Sequence, residues 1–235
     1  SLGYMCSWPV FHSQFEWETA YQAARRFLNA SGVKRIMDRA VVIPRYLECE
    51  KIDKAIKNVP KSEQFTVFFG GRLNEAKQAV EMMETYDYLF RFGRPVRVLI
   101  TSPRAEAFTL QKYQKKFPEI EFLVNLRPEE FYEKAASAHV YLNTSKAEGF
   151  PIGFVEQLYI GLVGIFPDMP WVRGVLGDEI VDRYPYAYST MEQAAVYLRH
   201  VYEHYDEAVA EVAWLKGVLV EKFGKLNVCE RLYGR

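Results

Sequence analysis

The sequence predicts an α/β protein in which helices cover both faces of a mostly parallel, Rossmann-like sheet. Short apolar runs rich in β-branched and aromatic residues alternate along the chain with longer segments of helical periodicity. This alternation is typical of parallel sheets, because each parallel pair of strands needs a crossover helix. With 235 residues and 49% hydrophobic content, the chain can bury one substantial core.

The individual elements follow from these runs and from the turn residues between them. Apolar runs predict strands near residues 65–69, 96–100, 120–124, 139–143, 163–166 and 186–189. Helical periodicity predicts helices near 75–91, 105–117, 128–137 and 151–161, and a long helical stretch from Met191 to Phe223. Upstream of these, the segment from Phe15 to Leu28 is amphipathic and the segment from Ala40 to Ile43 is strand-like.

Two glutamates flank the junction between the strand at 139–143 and the helix that follows it. Glu148 precedes the helix, and Pro151 suits its first position, where a missing N–H costs nothing. Free amides and the dipole at a helix N-terminus favour an anionic ligand. An acidic residue there can also simply complement the dipole, which is a sufficient explanation for Glu148 alone. Glu156 lies inside an otherwise apolar helix and needs a partner or a ligand.

A second polar cluster follows the strand at 65–69. Gly70 and Gly71 allow the backbone to approach a ligand closely, and Arg72 and Lys77 supply two cations that can neutralise a diphosphate without a metal. Taken alone, two solvated cations on an ordinary turn explain this segment equally well. Neither the Walker spacing nor the dinucleotide-binding glycine spacing is present.

Together these residues resemble the donor-binding, C-terminal domain of retaining GT-B glycosyltransferases of the family 4-like group. In that family a strand ends in Gly-Arg, a Lys follows five residues later, and two Glu separated by seven residues come later in an E-G-F-(G/P) context. The matching residues in this chain are Gly71, Arg72, Lys77, Glu148 and Glu156. The match spans roughly residues 42–206.

The resemblance implies a role for each of these residues. Arg72 and Lys77 would stabilise the leaving diphosphate, Glu148 would hold hydroxyls of the donor sugar, and Glu156 would accept hydrogen bonds from the ribose. Further donor contacts are implied for Gly71, Asn125, Gly149, Phe150, Pro151, Ile152 and Gly153. The implied enzyme transfers a sugar from a nucleotide-diphosphate sugar to an unspecified acceptor with retention. It uses no metal and no cofactor, and the sequence has no Asp-x-Asp metal motif.

The chain also departs from the family pattern. Gln157 stands where a small residue is usual, and Val124 stands where a glycine is usual. The run at 161–164 replaces a Gly-x-Pro-Val turn. These differences leave the base and the sugar of the donor unassigned.

The resemblance predicts two parts in the chain. Residues 1–58 would be the linker and the remnant of a first, acceptor domain, and residues 59–235 the nucleotide-sugar donor domain. Because a complete GT-B enzyme needs two Rossmann-like domains, we expect the acceptor domain to be missing from this chain and the chain to be the donor-binding half.

Composition excludes several other classes. Thirty basic and thirty acidic residues cancel, so no global field favours nucleic acid or an anionic membrane. Three scattered cysteines favour reduced thiols, and no apolar stretch is long enough to span a bilayer. We therefore expect a cytoplasmic protein without a transmembrane segment.

Three alternatives remain at this stage. A nucleotide-sugar-binding module, or an epimerase-like enzyme on the same fold, would carry the same motifs. His200 and His204 fit the H-x-x-E-H pattern of inverted zinc peptidases, but helical geometry places both toward solvent, away from the apolar stripe of their helix. His139 begins a buried strand, so we expect it to be packed in the core.

Overall fold

A six-stranded parallel sheet forms the centre of the protein. The structure is a computed structural model that describes residues 9–73, 75–91, 96–102 and 107–233. In these residues the strands are β1 (Val10–Phe11), β2 (Val41–Val42), β3 (Thr66–Gly70), β4 (Arg97–Ser102), β5 (Ile120–Val124), β6 (Val140–Leu142), β7 (Val163–Pro167) and β8 (Ala187–Tyr188). The large sheet has the order β5-β4-β3-β6-β7-β8, and β1 and β2 form a separate parallel pair.

Helices surround this sheet. Among the described residues they are α1 (Gln14–Phe27), α2 (Ala30–Met37), α3 (Cys49–Ile56), α4 (Ala79–Arg91), α5 (Ala107–Lys116), α6 (Pro128–Ser137), α7 (Ile152–Ile160), α8 (Pro170–Leu176), α9 (Asp178–Arg183), α10 (Met191–Glu203), α11 (Tyr205–Val212), α12 (Trp214–Phe223) and α13 (Lys225–Tyr233). Helix α4 packs on α10, whereas α6 packs on α3 and α7, and α7 packs on α12. The helices thus form two groups around the sheet.

The predicted fold class is confirmed. Counted from β3, the strand order is 3-2-1-4-5-6, which is the order of the doubly wound Rossmann fold. Strands appear at all six predicted positions, and helices occupy the four predicted intervals between residues 75 and 161. The predicted helix at 75–91 begins as a 3₁₀ turn, Glu75–Lys77, and becomes α-helical only after Gln78, which has φ of 48°. Residues 105 and 106 of the next predicted helix lie outside the described residues.

The stretch predicted to be helical from Met191 to Phe223 is helical, but it is not one continuous helix. It is divided into α10, α11 and α12. At the first break, His204 has φ of −133° and ψ of 46°, which ends the helical backbone. The turn brings the ring of Tyr205 against those of Phe65 and His139, at centroid distances of 6.0 and 4.9 Å. Aromatic packing beside the start of β3 therefore accompanies the break.

The first part of the chain packs on the sheet domain. Ile52 of α3 is fully buried, and Asp53 accepts a 2.8 Å hydrogen bond from the hydroxyl of Tyr159 on α7. Helix α1 lies on α8, where Phe15 fits against Gly174 so closely that a Cβ there would lie 2.8 Å from that of Phe15. The division of the chain at residue 58 into two parts stays a prediction.

The alternative zinc site gains no support from the described part of the chain. His200 and His204 are both exposed, as helical geometry predicts, and their rings stack at 4.9 Å. Among the described residues, no group of three His, Cys, Asp or Glu side chains is arranged to hold a metal. Cys49 and Cys229 are free thiols, and Cys6 lies outside the described residues. No described helix has the length and apolarity needed to cross a membrane.

His139 is packed in the core, as predicted. Its Nδ1 accepts a 3.1 Å hydrogen bond from the Thr66 amide, and its ring stacks on Phe65. Burial lowers the pKa of His139 to about 4, and the positive charge of Lys61 acts in the same direction. The folded protein therefore holds this imidazole neutral.

We predict that this neutral imidazole makes the protein acid-sensitive. Between pH 6.5 and about 4, His139 is protonated in the unfolded chain but neutral in the folded protein. The free energy of unfolding therefore falls as the pH falls. The loss should be of the order of 2 kcal/mol across this window. Urea unfolding at several pH values gives the free energy of unfolding as a function of pH. The slope of this function should be smaller for His139→Asn than for the wild type. The exposed-site control His200→Asn should keep the wild-type slope, and equal slopes in all three proteins would contradict the prediction.

Candidate functional site

Both predicted polar clusters lie at the point where the strand order reverses. Strand β3 pairs with β4 on one side and with β6 on the other. The segment with Gly71, Arg72 and Lys77 leaves the carboxyl end of β3, and the loop with Glu148 leaves the carboxyl end of β6. In open α/β sheets, ligands bind in the crevice at this switch point. The topology thus brings together residues that are more than seventy positions apart.

Two hydrogen bonds join the two segments directly. The Thr144 hydroxyl donates to the carbonyl of Lys77 over 2.5 Å, and the Lys146 amide donates to the carbonyl of Ala76 over 2.9 Å. Thr144 is fully buried. The 3₁₀ turn after β3 and the loop after β6 are therefore fixed relative to each other.

The side chains of Lys77 and Glu148 form an ion pair across this junction. Lys77 Nζ contacts Glu148 Oε1, and the two side chains are only 16% and 17% exposed. Burial lowers the pKa of Lys77 to about 8, and the nearby positive charge of Arg72 acts in the same direction. The contact with Glu148 opposes both effects, because an adjacent carboxylate favours the charged ammonium. Arg72 itself is exposed.

The loop after β6 is held by buried polar contacts. Asn143 Oδ1 accepts from the Ser145 amide over 2.8 Å, and the Asn143 carbonyl accepts from the Tyr188 hydroxyl over 2.8 Å. The Ser145 carbonyl accepts from Trp171 Nε1 over 3.0 Å. These bonds fix the backbone of the loop between β6 and α7.

Helix α7 begins at Ile152, one residue later than predicted. Pro151 is its N-cap, without a side-chain hydrogen bond, and its carbonyl accepts from the Phe154 amide over 2.9 Å. The first-turn amides of Ile152 and Gly153 have no acceptor within the helix, as at any helix start. The side chain of Phe150 is buried against Phe223, at a centroid distance of 5.6 Å, and anchors the turn.

Glu156 has a protein partner. Its Oε1 accepts a 2.9 Å hydrogen bond from the hydroxyl of Tyr132 on α6. Burial raises the pKa of Glu156 and the Glu48 carboxylate adds to this effect, whereas the hydrogen bond from Tyr132 opposes it. One carboxylate oxygen of Glu156 is thus occupied by the protein.

The predicted donor residues border three separate clefts. Glu148 and Gly149 line one of about 610 Å³ together with α1, whereas Ile152 and Glu156 line another of about 500 Å³ together with residues 43–46. The third, of about 270 Å³, lies between the ends of β3 and β4 and the start of α6, and is lined by Gly70, Gly71, Thr101, Ser102, Leu126, Pro128 and Phe131. The structure brings Gly71, Lys77 and Glu148 together but does not place Glu148 and Glu156 in one cleft.

Asn125 precedes the wall of the third cleft. It has a left-handed backbone, with φ of 55°, and its amide donates to the Ser102 carbonyl over 3.1 Å. Across the cleft, Gly70 has no room for a side chain, because a Cβ there would lie 2.6 Å from Cε2 of Phe131. Close packing of Phe131 on β3 therefore sets the floor of this cleft.

Three residues from the first part of the chain reach the predicted loop, and sequence reasoning missed all of them. Ser13 Oγ donates to the Gly149 carbonyl over 2.9 Å, and the Glu16 carboxylate occupies the space where a side chain of Gly149 would lie. His12 donates its amide to Glu16 Oε2 over 2.7 Å. The only local signal was Ser13 as an N-cap of α1, which predicts a helix start but not a long-range partner.

Comparison with known proteins gives structural matches only. No protein-family model and no curated protein matches the sequence. The pneumococcal O-GlcNAc transferase GtfA in complex with UDP and GlcNAc matches with a TM-score of 0.67, 15% identity and 96% of this chain covered. Anabaena Alr3699/HepE in complex with UDP-glucose matches with a TM-score of 0.65, 14% identity and 96% of this chain covered. The α,α-trehalose 6-phosphate synthase of Burkholderia multivorans matches with a TM-score of 0.70, 12% identity and 97% of this chain covered.

At these identities the likeness shows the fold alone. The chain spans 44% of the length of GtfA, 71% of Alr3699/HepE and 59% of the synthase. The Rossmann-like fold is therefore shared with structures of sugar-transferring enzymes. Membership of the family 4-like group, retention and the roles of individual residues stay predictions.

We predict that the hydrogen bond from Thr144 to Lys77 stabilises the candidate site. Thr144→Val keeps the shape of the side chain but leaves the Lys77 carbonyl without this donor, which should lower the free energy of unfolding by about 1–3 kcal/mol. The amide of Lys146 should also exchange faster with solvent, since its bond spans the same junction.

Thr85→Val is the matched control. Thr85 is also buried, but its hydroxyl bonds back to the Glu81 carbonyl within its own helix. Its loss should therefore cost less. Equal stability of the two variants, measured by urea unfolding, would argue against a special role for Thr144.

Proposed function

We propose that this chain binds a nucleotide-diphosphate sugar and forms the donor-binding half of a retaining glycosyltransferase. The observation that carries the proposal is the meeting of Lys77 and Glu148 at the switch point of a Rossmann-like sheet, with Arg72 close enough to affect Lys77. Fold likeness to GtfA in complex with UDP and GlcNAc, and to Alr3699/HepE in complex with UDP-glucose, supports it.

The phosphate side of the proposed site lies at the carboxyl end of β3. Arg72 and Lys77 provide two cations there, and the first-turn amides of α7 add hydrogen-bond donors across the crevice. Negative charge grows on the diphosphate as its bond to the sugar breaks. Groups already in place to stabilise that charge lower the barrier, and in this proposal they act without a metal ion.

The sugar and nucleoside sides are assigned to the two glutamates. Glu148 lies at the edge of the large cleft beside α1, where its carboxylate can accept hydrogen bonds from sugar hydroxyls. Glu156 keeps one oxygen that Tyr132 does not use, and this oxygen is proposed for the ribose. The cleft between Gly71 and Phe131, next to Asn125, is proposed for the base. The acceptor is proposed to bind on a further domain.

We predict that the chain binds nucleoside diphosphates and their sugar conjugates but transfers no sugar by itself. Calorimetry with UDP, GDP and ADP and with their glucose conjugates should give binding for at least one base, and the affinity should be unchanged by EDTA, because Arg72 and Lys77 supply the positive charge. Strict magnesium dependence, robust transfer by the purified chain, or no binding of any of these ligands would contradict the proposal.

Arg72→Ala is the matched variant for this experiment. It removes a charge-assisted contact worth roughly 1.5–3 kcal/mol, so affinity should fall about ten-fold or more. Since Arg72 is exposed, the melting temperature without ligand should barely change. A large drop in stability with unchanged affinity would instead identify Arg72 as a structural residue.

We predict that Glu156→Gln weakens the binding of the bare diphosphate and the binding of its sugar conjugate to the same extent. A ribose contact is common to both ligands, so a change there is uniform. Tyr132→Phe removes the hydroxyl bound to Oε1 but leaves the carboxylate, and should have a smaller effect on both affinities. Titration of each variant with both ligands gives the four values needed. A loss confined to the sugar conjugate would place Glu156 on the sugar side.

A further inference from the structure

Lys77, which the proposed function assigns to the diphosphate, is paired in this structure with Glu148, which the same function assigns to the sugar. A diphosphate that binds Lys77 must therefore displace the Glu148 carboxylate from Lys77 or share Lys77 with it. The cost of doing so depends on what that carboxylate can bind next. The ion pair thus links recognition of the phosphate to recognition of the sugar.

The backbone makes this pair hard to avoid. The hydrogen bonds from Thr144 and from the Lys146 amide fix the two segments that carry Lys77 and Glu148. Both side chains are largely shielded from water, and burial lowers the pKa of Lys77 to about 8. Water therefore screens this pair less than it screens an exposed pair such as Lys51 and Glu129. In that pair, Lys51 Nζ lies 3.5 Å from Glu129 Oε1, and the side chains are 42% and 54% exposed.

We propose that Glu148 is a specificity-determining residue that makes the site prefer a sugar-carrying diphosphate to the bare diphosphate. This inference rests on the proposed function. Glu148 competes with the phosphates for Lys77. Only a ligand with hydroxyl groups next to its diphosphate offers this carboxylate new hydrogen-bond donors when Lys77 is taken from it.

Two physical effects disfavour binding of the bare diphosphate relative to its sugar conjugate. When a bare diphosphate binds, Glu148 loses its cation and remains partly buried beside an anion, which is costly. The bare diphosphate also carries about one more negative charge than its sugar conjugate near neutral pH, because a terminal phosphate has a second ionisation near pH 6. Glu148 therefore repels the bare diphosphate more strongly. After sugar transfer, the same repulsion favours release of the product.

The test compares UDP with UDP-glucose, or the best-binding pair of another base, by calorimetry on the wild type and on Glu148→Gln. The isosteric amide removes the competing charge, so affinity for the bare diphosphate should rise about ten-fold. Affinity for the sugar conjugate should stay the same or fall, so the ratio of the two affinities changes by ten-fold or more.

Glu84→Gln is the matched control, because it removes the carboxylate of the exposed Lys116–Glu84 pair, which lies at 3.2 Å, and should leave both affinities unchanged. Glu148→Ala provides a second way to remove the charge, and must give the same gain for the bare diphosphate if the first variant folds poorly. An unchanged or reduced affinity for the bare diphosphate in the folded variants would overturn this inference alone. A wild type that binds neither ligand of any base would overturn the proposed function, and this inference with it.

Discussion

The candidate site depends on the pairing of β3 with β6, two strands that are separated by three complete crossovers in the sequence. Their adjacency places both outgoing segments at one edge of the sheet, where the Thr144 hydroxyl and the Lys146 amide bond to the carbonyls of Lys77 and Ala76. Without this pairing, the cations and the carboxylate would be unrelated surface groups. The strand order therefore creates the site, and the hydrogen bonds set its dimensions.

A buried polar layer supports the site from below. Asn143 donates its side-chain amide to the Tyr141 hydroxyl over 2.7 Å, and Gln157 donates to the Gly153 carbonyl over 2.7 Å. Gln157, the departure from the usual small residue, is fully buried and approaches Gly70. Its amide thus occupies the space between β3 and the first turn of α7. The hydrogen bond from Gln157 to Gly153 lies within α7 and spans its first turn.

The parts of the fold that follow from local chemistry were predictable, whereas the long-range contacts were not. Apolar runs locate β3 to β8 because buried parallel strands have no polar face. The break at His204 has no glycine or proline to signal it, and the packing of Tyr205 on His139 beside it is a long-range contact that no local pattern reports. Spacing placed Lys77 and Glu148 near one crevice, but their direct pairing requires knowledge of loop geometry. The contact of Ser13 with Gly149 spans 136 positions and has no sequence signature.

Cations and carboxylates approach the crevice from different elements and meet at the Lys77–Glu148 pair, although the chain is neutral overall. The cations Arg72 and Lys77 follow β3, whereas the carboxylates of Glu148 and Glu16 border the cleft beside α1. Under the proposed function, the phosphates of the ligand would lie toward β3 and its hydroxyls toward α1. The interaction between two charges weakens with distance and with water between them. The electrostatic potential therefore changes most steeply at the partly buried Lys77–Glu148 contact. Under the proposed function, this one contact would both orient the ligand and limit binding of the diphosphate.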